Sequence, residues 1–151
     1  MMWSPPDKTF SIKVPAELKE EKGAYTDGVA DNDASLYKAI SVFGGTTKSD
    51  QAFLVVTLKL TEKAKRLNTE KKLGGLEFLI GGDDATPTDD KLIQLGNLRA
   101  REVLYSSDEG CSKGLMIDAD RQIVVMGLAS SSCKYLKSDV AKHFFSSFRL
   151  L

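Results

Sequence analysis

The sequence predicts an α+β domain in which helices pack against an antiparallel β-sheet. Segments that alternate apolar and polar residues with a period of two, as half-buried strands do, recur along the chain. Short turn sequences join the later segments into consecutive hairpins, and such hairpins form antiparallel sheets. Two further segments have apolar residues at helical spacing, and each needs an apolar surface to cover, which the sheet supplies.

The composition agrees with a single domain over residues 1–151. With 42% apolar and 28% charged residues, the chain can bury a core and lacks the composition of a disordered protein. Positive and negative side chains balance at 21 each, and nucleic-acid binders usually carry surplus positive charge, so we expect no nucleic acid partner. No apolar run approaches the roughly 20 residues of a membrane-spanning helix, so no membrane-spanning segment is expected.

The compartment stays open between two interpretations. Residues Met1 to Pro6 contain neither the basic stretch nor the apolar core of a signal peptide. The protein is therefore either cytoplasmic or an extracytoplasmic domain whose export signal is absent from this chain.

Strands are predicted at both ends of the first sixty residues. Phe10 to Val14 alternates apolar and polar side chains and ends before Pro15, which cannot donate a ladder hydrogen bond. Leu18 to Asp33 is polar and predicts a loop. Ala52 to Leu60 is rich in β-branched residues and apolar on both faces over its first half, which predicts a central strand.

Another strand is predicted at Leu36 to Val42. Its alternation places Ile40 and Val42 on one face and Tyr37 on the opposite face. The pair Gly44-Gly45 is predicted to end it.

Helical character extends from Thr61 to about Ile80. One side of this helix collects apolar residues: Leu73, Leu76, Leu79 and Ile80. Gly74-Gly75 costs about 1 kcal/mol per glycine relative to alanine and predicts a break, and Gly81-Gly82 predicts the end.

The same segment holds the best local positive patch, formed by Lys63, Lys65, Arg66, Lys71 and Lys72. Glu62 and Glu70 lie among these cations, as on an exposed helix with partial pairing. No aromatic residue interleaves with them, which argues against a surface that stacks nucleic-acid bases. A solvated helix face is the expectation.

The C-terminal half predicts two hairpins and a helix. The first hairpin joins Lys91–Leu95 to Leu98–Tyr105 through Gly96-Asn97, and the second joins Leu115–Ile117 to Gln122–Leu128 through residues 118–121. Ser138-Asp139 opens a terminal helix with a capping serine and an acidic first turn. The apolar side of this region is expected to contain Val140, Phe144, Phe145 and Phe148, the last of which can lie beyond the helix.

Both ends of the chain resemble a known family. The opening Trp3-Ser4-Pro5-Pro6-Asp7-Lys8-Thr9-Phe10-Ser11-Ile12-Lys13-Val14-Pro15 resembles the polar turn, Phe, strand and Pro that begin PsbP-like domains. The ending His143-Phe144-Phe145-Ser146-Ser147-Phe148-Arg149-Leu150 resembles the helix followed by Phe, Ser and Phe of bacterial members. Together with the hairpins, the resemblance covers the whole chain.

The resemblance implies an antiparallel sheet sandwiched by helices, the α/β/α arrangement of PsbP-like proteins. Many bacterial members are exported and have no known function, and the superfold also includes a Ran-binding nuclear import factor. The implied role is that of an adaptor or extrinsic subunit, usually without catalysis, and no residue-level functional motif carries over to this chain.

The two cysteines, Cys111 and Cys133, bracket the second predicted hairpin and would lie near the same open end. Their inferred register is a few residues away from an opposing pair, so a disulfide needs a bulge or an irregular strand end. The alternative is two free thiols packed as small apolar groups, as in a reducing compartment. Neither lies in a CxxC pair, and no further zinc ligands are evident.

Metal binding and histidine-based catalysis have only weak candidates. Acidic loops could supply oxygen ligands to calcium, from Asp27, Asp31 and Asp33 or from Asp83, Asp84, Asp89 and Asp90. Neither cluster has the spacing of a helix-loop-helix calcium site, and solvated loops are the simpler interpretation. His143, the single histidine, has no nucleophile elbow beside it and is expected at the surface.

Two functions follow from these observations. The first is a non-enzymatic binding or accessory domain that acts through a sheet or loop surface, with an unknown protein partner and no cofactor. The alternative is a hydrolase-type enzyme that uses a carboxylate pair in the Asp83 to Asp90 loop. A concave pocket with two carboxylates of raised pKa would favour the enzyme.

Overall fold

Two antiparallel sheets form the β-structure of the computed structural model, which describes residues 1–21, 36–81 and 86–151. The strands are β1 (Met2–Trp3), β2 (Phe10–Lys13), β3 (Lys19–Glu20), β4 (Tyr37–Thr46), β5 (Ala52–Leu60), β6 (Asp89–Leu95), β7 (Leu98–Ser107), β8 (Gly110–Asp118), β9 (Gln122–Ser130) and β10 (Arg149–Leu150). The larger sheet has the order β3-β4-β5-β9-β8-β7-β6, and in the smaller one β2 lies between β1 and β10.

Helices fill two parts of the chain. Three short helices follow β5, namely α1 (Glu62–Lys65), α2 (Thr69–Leu73) and α3 (Phe78–Gly81). A 3₁₀ helix (Cys133–Lys137) and α4 (Asp139–Ser146) follow β9. No helix in the described ranges is long and apolar enough to cross a membrane.

The period-two alternation of the strands divides the core into two buried clusters, one on each side of the larger sheet. On β5, Phe53 and Val55 belong to one cluster, whereas Val56 and Leu58 belong to the other. The first side collects six phenylalanines and is called the aromatic face: Phe10, Phe43, Phe53, Phe144, Phe145 and Phe148. The second, built mainly from Val, Leu, Ile and Met, is called the aliphatic face.

The terminal segments cover the aromatic face. β2 contributes Phe10 and Ile12, both fully buried, and α4 contributes Phe144, which is 1% exposed. The ring of Phe144 meets that of Phe53 edge-on, with centroids 4.9 Å apart. Packing of this kind closes the aromatic face with bulky rings.

Helices α1 to α3 cover the aliphatic face. Each contributes at least one buried apolar residue, and the set is Ala64, Leu73 and Leu79, joined by Leu76 between α2 and α3. Side-chain oxygens cap the first two helices: the Thr61 hydroxyl accepts from the Ala64 N–H at 3.3 Å, and Asn68 accepts from the Lys71 N–H at 2.9 Å.

Several predictions are confirmed. The chain is α+β with antiparallel sheets, and Ala52–Leu60 is the predicted strand, lying between β4 and β9. Gly96 and Asn97 form a two-residue turn between β6 and β7. The positive φ of 62° at Gly96, the first central residue, is that of a type II′ turn. The Ser138 hydroxyl accepts from the Ala141 N–H at 3.2 Å and caps α4.

The prediction that Gly44-Gly45 ends a strand is wrong. β4 continues to Thr46, and Gly45 pairs with Phe53. A Cβ on Gly45 would collide with the backbone carbonyl of Glu17. Glycine is needed here because another part of the chain approaches closely, and not because the chain turns.

A β-bulge corrects the predicted face of Tyr37. The register of β4 against β5 shifts between Tyr37 and Ala39. The extra residue brings Tyr37 onto the aliphatic face with Ile40 and Val42, although simple alternation places it opposite them.

Other boundaries also differ from prediction. Lys19–Glu20 pairs with β4 as strand β3, so the predicted loop from Leu18 to Asp33 is wrong at its start, and its residues 22–33 lie outside the described ranges. Asp89 and Asp90 belong to β6 and not to a loop. Val140 is 43% exposed, and its neighbour Ala141 is buried in its place on α4. Phe148, in contrast, agrees with the prediction, since it lies beyond α4 and is buried.

Candidate functional site

A groove of about 200 Å³ opens on the aliphatic face at the end of the sheet beyond α3. Small side chains form its floor because two successive rows of paired residues across the strands are almost free of bulk. One row runs Gly44, Leu54, Gly127, Gly114, and the next runs Thr46, Ala52, Ala129, Ser112. This surface, together with the α3 residues beside it, is called the small-residue groove.

Helix α3 forms one wall of the small-residue groove. Ile80 lies directly over two paired glycines, and a Cβ on either Gly114 or Gly127 would collide with its side chain. Leu79 is 3% exposed and anchors α3 in the aliphatic core. The glycines therefore allow α3 to sit close to the sheet, and none of the residues in the described ranges covers the floor beyond Ile80.

The opposite rim of the groove carries a carboxylate. Glu21 follows β3, and its backbone N–H donates to the Val42 carbonyl at 2.8 Å. Its side chain lies against Gly44, where a Cβ would collide with it. The groove thus combines an apolar wall, a floor with the hydroxyl groups of Thr46 and Ser112, and one exposed acidic group at its rim.

A hydroxyl-rich cleft of about 240 Å³ lies on the other side of α3. Ser112 lines both this cleft and the small-residue groove. Tyr105 forms part of its wall and donates a hydrogen bond to the Glu77 carbonyl at 3.2 Å. Burial raises the pKa of Tyr105, so its phenol stays protonated at neutral pH and keeps this donor.

His143 lines a third cleft, of about 350 Å³, together with Lys13 and Arg149. It is exposed, as predicted. No carboxylate of the described residues lines this cleft, and the nearby Ser146 hydroxyl donates to the His143 backbone carbonyl at 3.4 Å. Arg149 donates to the Ser146 carbonyl at 3.2 Å at the end of α4, where a cation stabilises the free carbonyls of a helix end. The arrangement does not assemble a nucleophile, a base and an acid.

Asp90, one of the weak calcium candidates, is engaged in an ion pair. Arg101 donates to it through Nε at 2.8 Å and through Nη2 at 2.5 Å. The hydrogen bond from Arg101 holds the pKa of Asp90 below its usual range. A general acid needs a raised pKa, so Asp90 has the opposite property.

The remaining calcium candidates divide between two parts of the chain. Asp89 accepts the Asp90 backbone N–H at 3.0 Å, whereas the others lie outside the described residues: Asp27, Asp31, Asp33, Asp83 and Asp84. Within residues 1–21, 36–81 and 86–151, no group of three or more His, Cys, Asp or Glu side chains is arranged to hold a metal ion.

Arg101 links the sheet to the helices on the aliphatic face. Besides Asp90 it pairs with Glu77, and it donates to the Leu73 carbonyl at 3.2 Å. Its side chain is only 15% exposed. The hydrogen bond to Asp90 is the main cause that raises the pKa of Arg101 further above its ordinary value, so the cation is permanent.

Lys72 corrects the prediction of a solvated basic face. Its side chain is 5% exposed and lies 3.2 Å from Asp118, which is 11% exposed. Asp118 also accepts from the Thr69 hydroxyl at 2.8 Å and from the Asp120 N–H at 3.1 Å. The sequence contains only a weak indication that Lys72 is buried, namely its position directly before Leu73, which belongs to the apolar side of the predicted helix.

Cys111 and Cys133 are joined by a disulfide, with their Cα atoms 5.0 Å apart. In the β8–β9 ladder Cys111 is paired with Ser130, so Cys133 lies beyond the paired region. The chain leaves the ladder after β9, and the start of the 3₁₀ helix brings Cys133 back to the start of β8. The irregular strand end that a bridge requires is therefore present.

Comparison with models of known protein families gives no match to this chain, and comparison with curated protein sequences gives none either.

Proposed function

We propose that this chain is a non-enzymatic binding or accessory domain that contacts a protein partner through the small-residue groove. The observation that carries the proposal is the uncovered floor beside α3, where two rows of small residues expose the sheet. In the described part of the chain helices α1 to α3 pack on the same face, so the groove is a place where a partner could reach it.

The size of the groove favours a partner's side chains over a small-molecule substrate. Ligand and cofactor pockets usually measure about 300–1,000 Å³, whereas this groove is about 200 Å³. That volume accommodates one or two inserted side chains. The apolar wall at Leu79 and Ile80 supports an aliphatic or aromatic anchor, and the carboxylate of Glu21 supports a cationic neighbour at the rim.

We also propose the PsbP-like α/β/α arrangement for this fold. Burial of α1 to α3 on the aliphatic face and of α4 on the aromatic face supports an antiparallel sheet sandwiched by helices. A role as an adaptor or extrinsic subunit, which the family resemblance implies, agrees with a partner-binding groove.

The disulfide supports an extracytoplasmic location. Such bonds form and persist in oxidising compartments and are rare in the reducing cytoplasm. Cys133 is exposed, so a cytoplasmic reductant would have access to the bond. We therefore propose that the protein works outside the cytoplasm, where the tether between β8 and the 3₁₀ helix is kept.

A groove-filling variant tests the proposed function. Ala52 is exposed on the groove floor, so Ala52→Trp should fill the groove without disturbing the core. Native extract of the source organism is passed over immobilised wild type, Ala52→Trp and the control Val140→Trp, which adds the same ring at an exposed site on α4. We expect wild type and the control to retain a partner protein in stoichiometric amount and Ala52→Trp to retain none.

Two results would contradict the proposal. One is equal retention of the partner by Ala52→Trp, which would mean that the groove is not the contact. The other is turnover of a model ester or glycoside that Ala52→Trp abolishes and Val140→Trp retains, which would make the groove an active site. Circular dichroism of each variant checks that the fold is kept.

A further inference from the structure

Among the residues that the structure describes, strand β6 forms one edge of the larger sheet. It is the last strand in the order, and β7 is its single strand partner among the described residues. Its seven residues contain no proline, and the register against β7 runs without a bulge. Proline and bulges are common devices that keep an edge strand from pairing with another chain. As far as the described residues go, β6 therefore offers its edge for strand addition.

The hairpin fixes which backbone groups of β6 point outward. Leu95 and Leu98 flank the two-residue turn and exchange hydrogen bonds with each other. Bonding alternates along the strand, so Ile93 and Lys91 also face β7, whereas Leu92 and Gln94 direct their N–H and C=O groups away from it. Asp90 fits this alternation, because its backbone N–H donates to the Asp89 carboxylate and not to β7.

The outward residues Asp90, Leu92 and Gln94 are symmetric about Leu92. A second β6 strand that approaches antiparallel, with Leu92 facing Leu92 of the second copy, brings Asp90 opposite Gln94. Each of these pairs then presents matching donors and acceptors and can exchange two backbone hydrogen bonds. The local Asp90 bond to Asp89 would be exchanged for one of them. Leu92, 40% exposed, lies at the centre of the contact.

Charges on the edge do not oppose this pairing. In that register Lys91 faces Ile93, and Asp89 faces Leu95, so no two like charges lie opposite each other. The edge charges also have partners within the chain, since Asp90 pairs with Arg101 and Lys91 lies 3.6 Å from Glu102. Pairing would bury the two exposed leucines against each other at the two-fold axis.

We propose that two copies of this chain associate through antiparallel pairing of their β6 strands about Leu92, which joins the two larger sheets into one continuous sheet. The contact is a two-fold interface, in which the same patch serves both copies. One strand pair buries less than about 1,200 Å², so we expect a transient dimer with a dissociation constant on the order of 10–100 µM. The small-residue grooves lie on the same face of the joined sheet, and this proposal does not depend on what they bind.

Sedimentation equilibrium tests the dimer, with wild type, Leu92→Lys and the control Val140→Lys measured from about 1 µM to about 1 mM. Val140 is a matched control because it is 43% exposed, close to the 40% of Leu92, but lies on α4. We expect wild type and the control to dimerise alike. Leu92→Lys brings two ammonium groups together at the axis and should raise the dissociation constant at least about tenfold.

Hydrogen exchange at low and high protein concentration adds a readout specific to this register. The amides of Leu92 and Gln94 should exchange more slowly at high concentration, whereas those of Lys91 and Ile93, already bonded to β7, should not change. If wild type stays monomeric at all concentrations, β6 does not pair with a second copy and the proposal is overturned. A dimer unaffected by Leu92→Lys, or one that protects other amides instead, overturns it equally.

Discussion

The aromatic face of the sheet is closed by segments from the two ends of the chain, whereas the aliphatic face is covered by three short helices that follow one another in sequence. Large rings fill the first face: Phe10 and Phe148 have centroids 5.4 Å apart, and Phe144 contacts both Phe53 and Phe145. The second face relies on smaller side chains, and ion pairs of Arg101 and Lys72 fix its helices.

On our proposal, this difference explains why a partner would bind the aliphatic face and not the aromatic face. A face filled by interlocking rings has no space for a partner and is sensitive to every truncation. In residues 1–21, 36–81 and 86–151, the cover of short helices ends at α3, and the sheet beyond Ile80 carries glycine, alanine and other small residues. We expect the aromatic face to carry more of the free energy of unfolding and the aliphatic face to carry recognition.

The largest expected effect is that of Phe144→Ala on the aromatic face. Phe144 is 1% exposed and packs edge-on against Phe53, so truncation leaves a cavity in the core. The free energy of unfolding should fall by about 4 kcal/mol, measured by urea denaturation. His143→Ala, an exposed neighbour on the same helix, should change it by less than about 0.5 kcal/mol. Similar losses for both would show that helix propensity and not ring packing decides stability here.

Removal of the disulfide tests how firmly the aromatic face is tethered. Cys111 and Cys133 are 22 residues apart in sequence, and the loop-entropy model gives about 3 kcal/mol for such a crosslink. Cys111→Ser/Cys133→Ser should therefore lower the denaturation midpoint relative to oxidised wild type. Reductant should bring wild type close to the double variant and leave the variant unchanged. A midpoint that reductant does not move in wild type would contradict the tether.

Lys72→Met tests the ionic attachment of the aliphatic face. The change leaves Asp118, which is 11% exposed, without its cation. Asp118 keeps the Thr69 hydroxyl and the Asp120 N–H, so we expect a loss of about 2 kcal/mol, below the 3–5 kcal/mol of a fully orphaned buried charge. Lys71→Met, at an exposed neighbour on α2, is the control. If Lys72→Met/Asp118→Asn were no more stable than Lys72→Met, the orphaned carboxylate would not be the cause.

Asp90→Asn should have the smallest effect and the clearest pH dependence. The hydrogen bond from Arg101 lowers the pKa of Asp90 in the folded state. Its stabilisation is therefore complete above the unfolded pKa of about 4 and is lost as the pH falls through the lowered folded value.

Since Asp90 is 38% exposed, we expect a difference of about 1 kcal/mol at pH 7. Urea denaturation of wild type and Asp90→Asn from neutral pH to about pH 2 should show this difference shrinking in acid. Asp108→Asn, at an exposed carboxylate in the β7–β8 turn, is the control. A difference that stays constant down to the lowest pH would contradict an ionic origin.

The sequence alone was sufficient to predict an element where its local pattern and the tertiary structure favour the same conformation. Ala52 to Leu60 has β-branched residues and apolar side chains on both faces, and it becomes a buried strand. Gly96-Asn97 has the chemistry of a tight turn and forms one. The α+β class with antiparallel strands and the hairpins were therefore predictable.

The groove could not be predicted, because a glycine in the sequence is compatible both with a turn and with a strand position that another part of the chain approaches closely. Gly44-Gly45 reads as a turn, yet it continues β4 because Glu17 and Glu21 approach its backbone. Gly114 and Gly127 lie 13 positions apart and become a floor only when β8 pairs with β9 in one register. Lys72 likewise reads as one of several surface cations until α2 packs against the end of β8.

Strand β2 obtains its partners from opposite ends of the chain, β1 and β10. The Leu151 N–H donates to the Thr9 carbonyl at 3.0 Å, so this ladder continues to the last residues. The cover over Phe10 and Ile12 therefore becomes complete only when residues 149–151, which are distant in sequence, have docked beside β2. Until that docking the aromatic side of β2 stays exposed, so pairing of these distant segments is a slow and aggregation-prone step of folding.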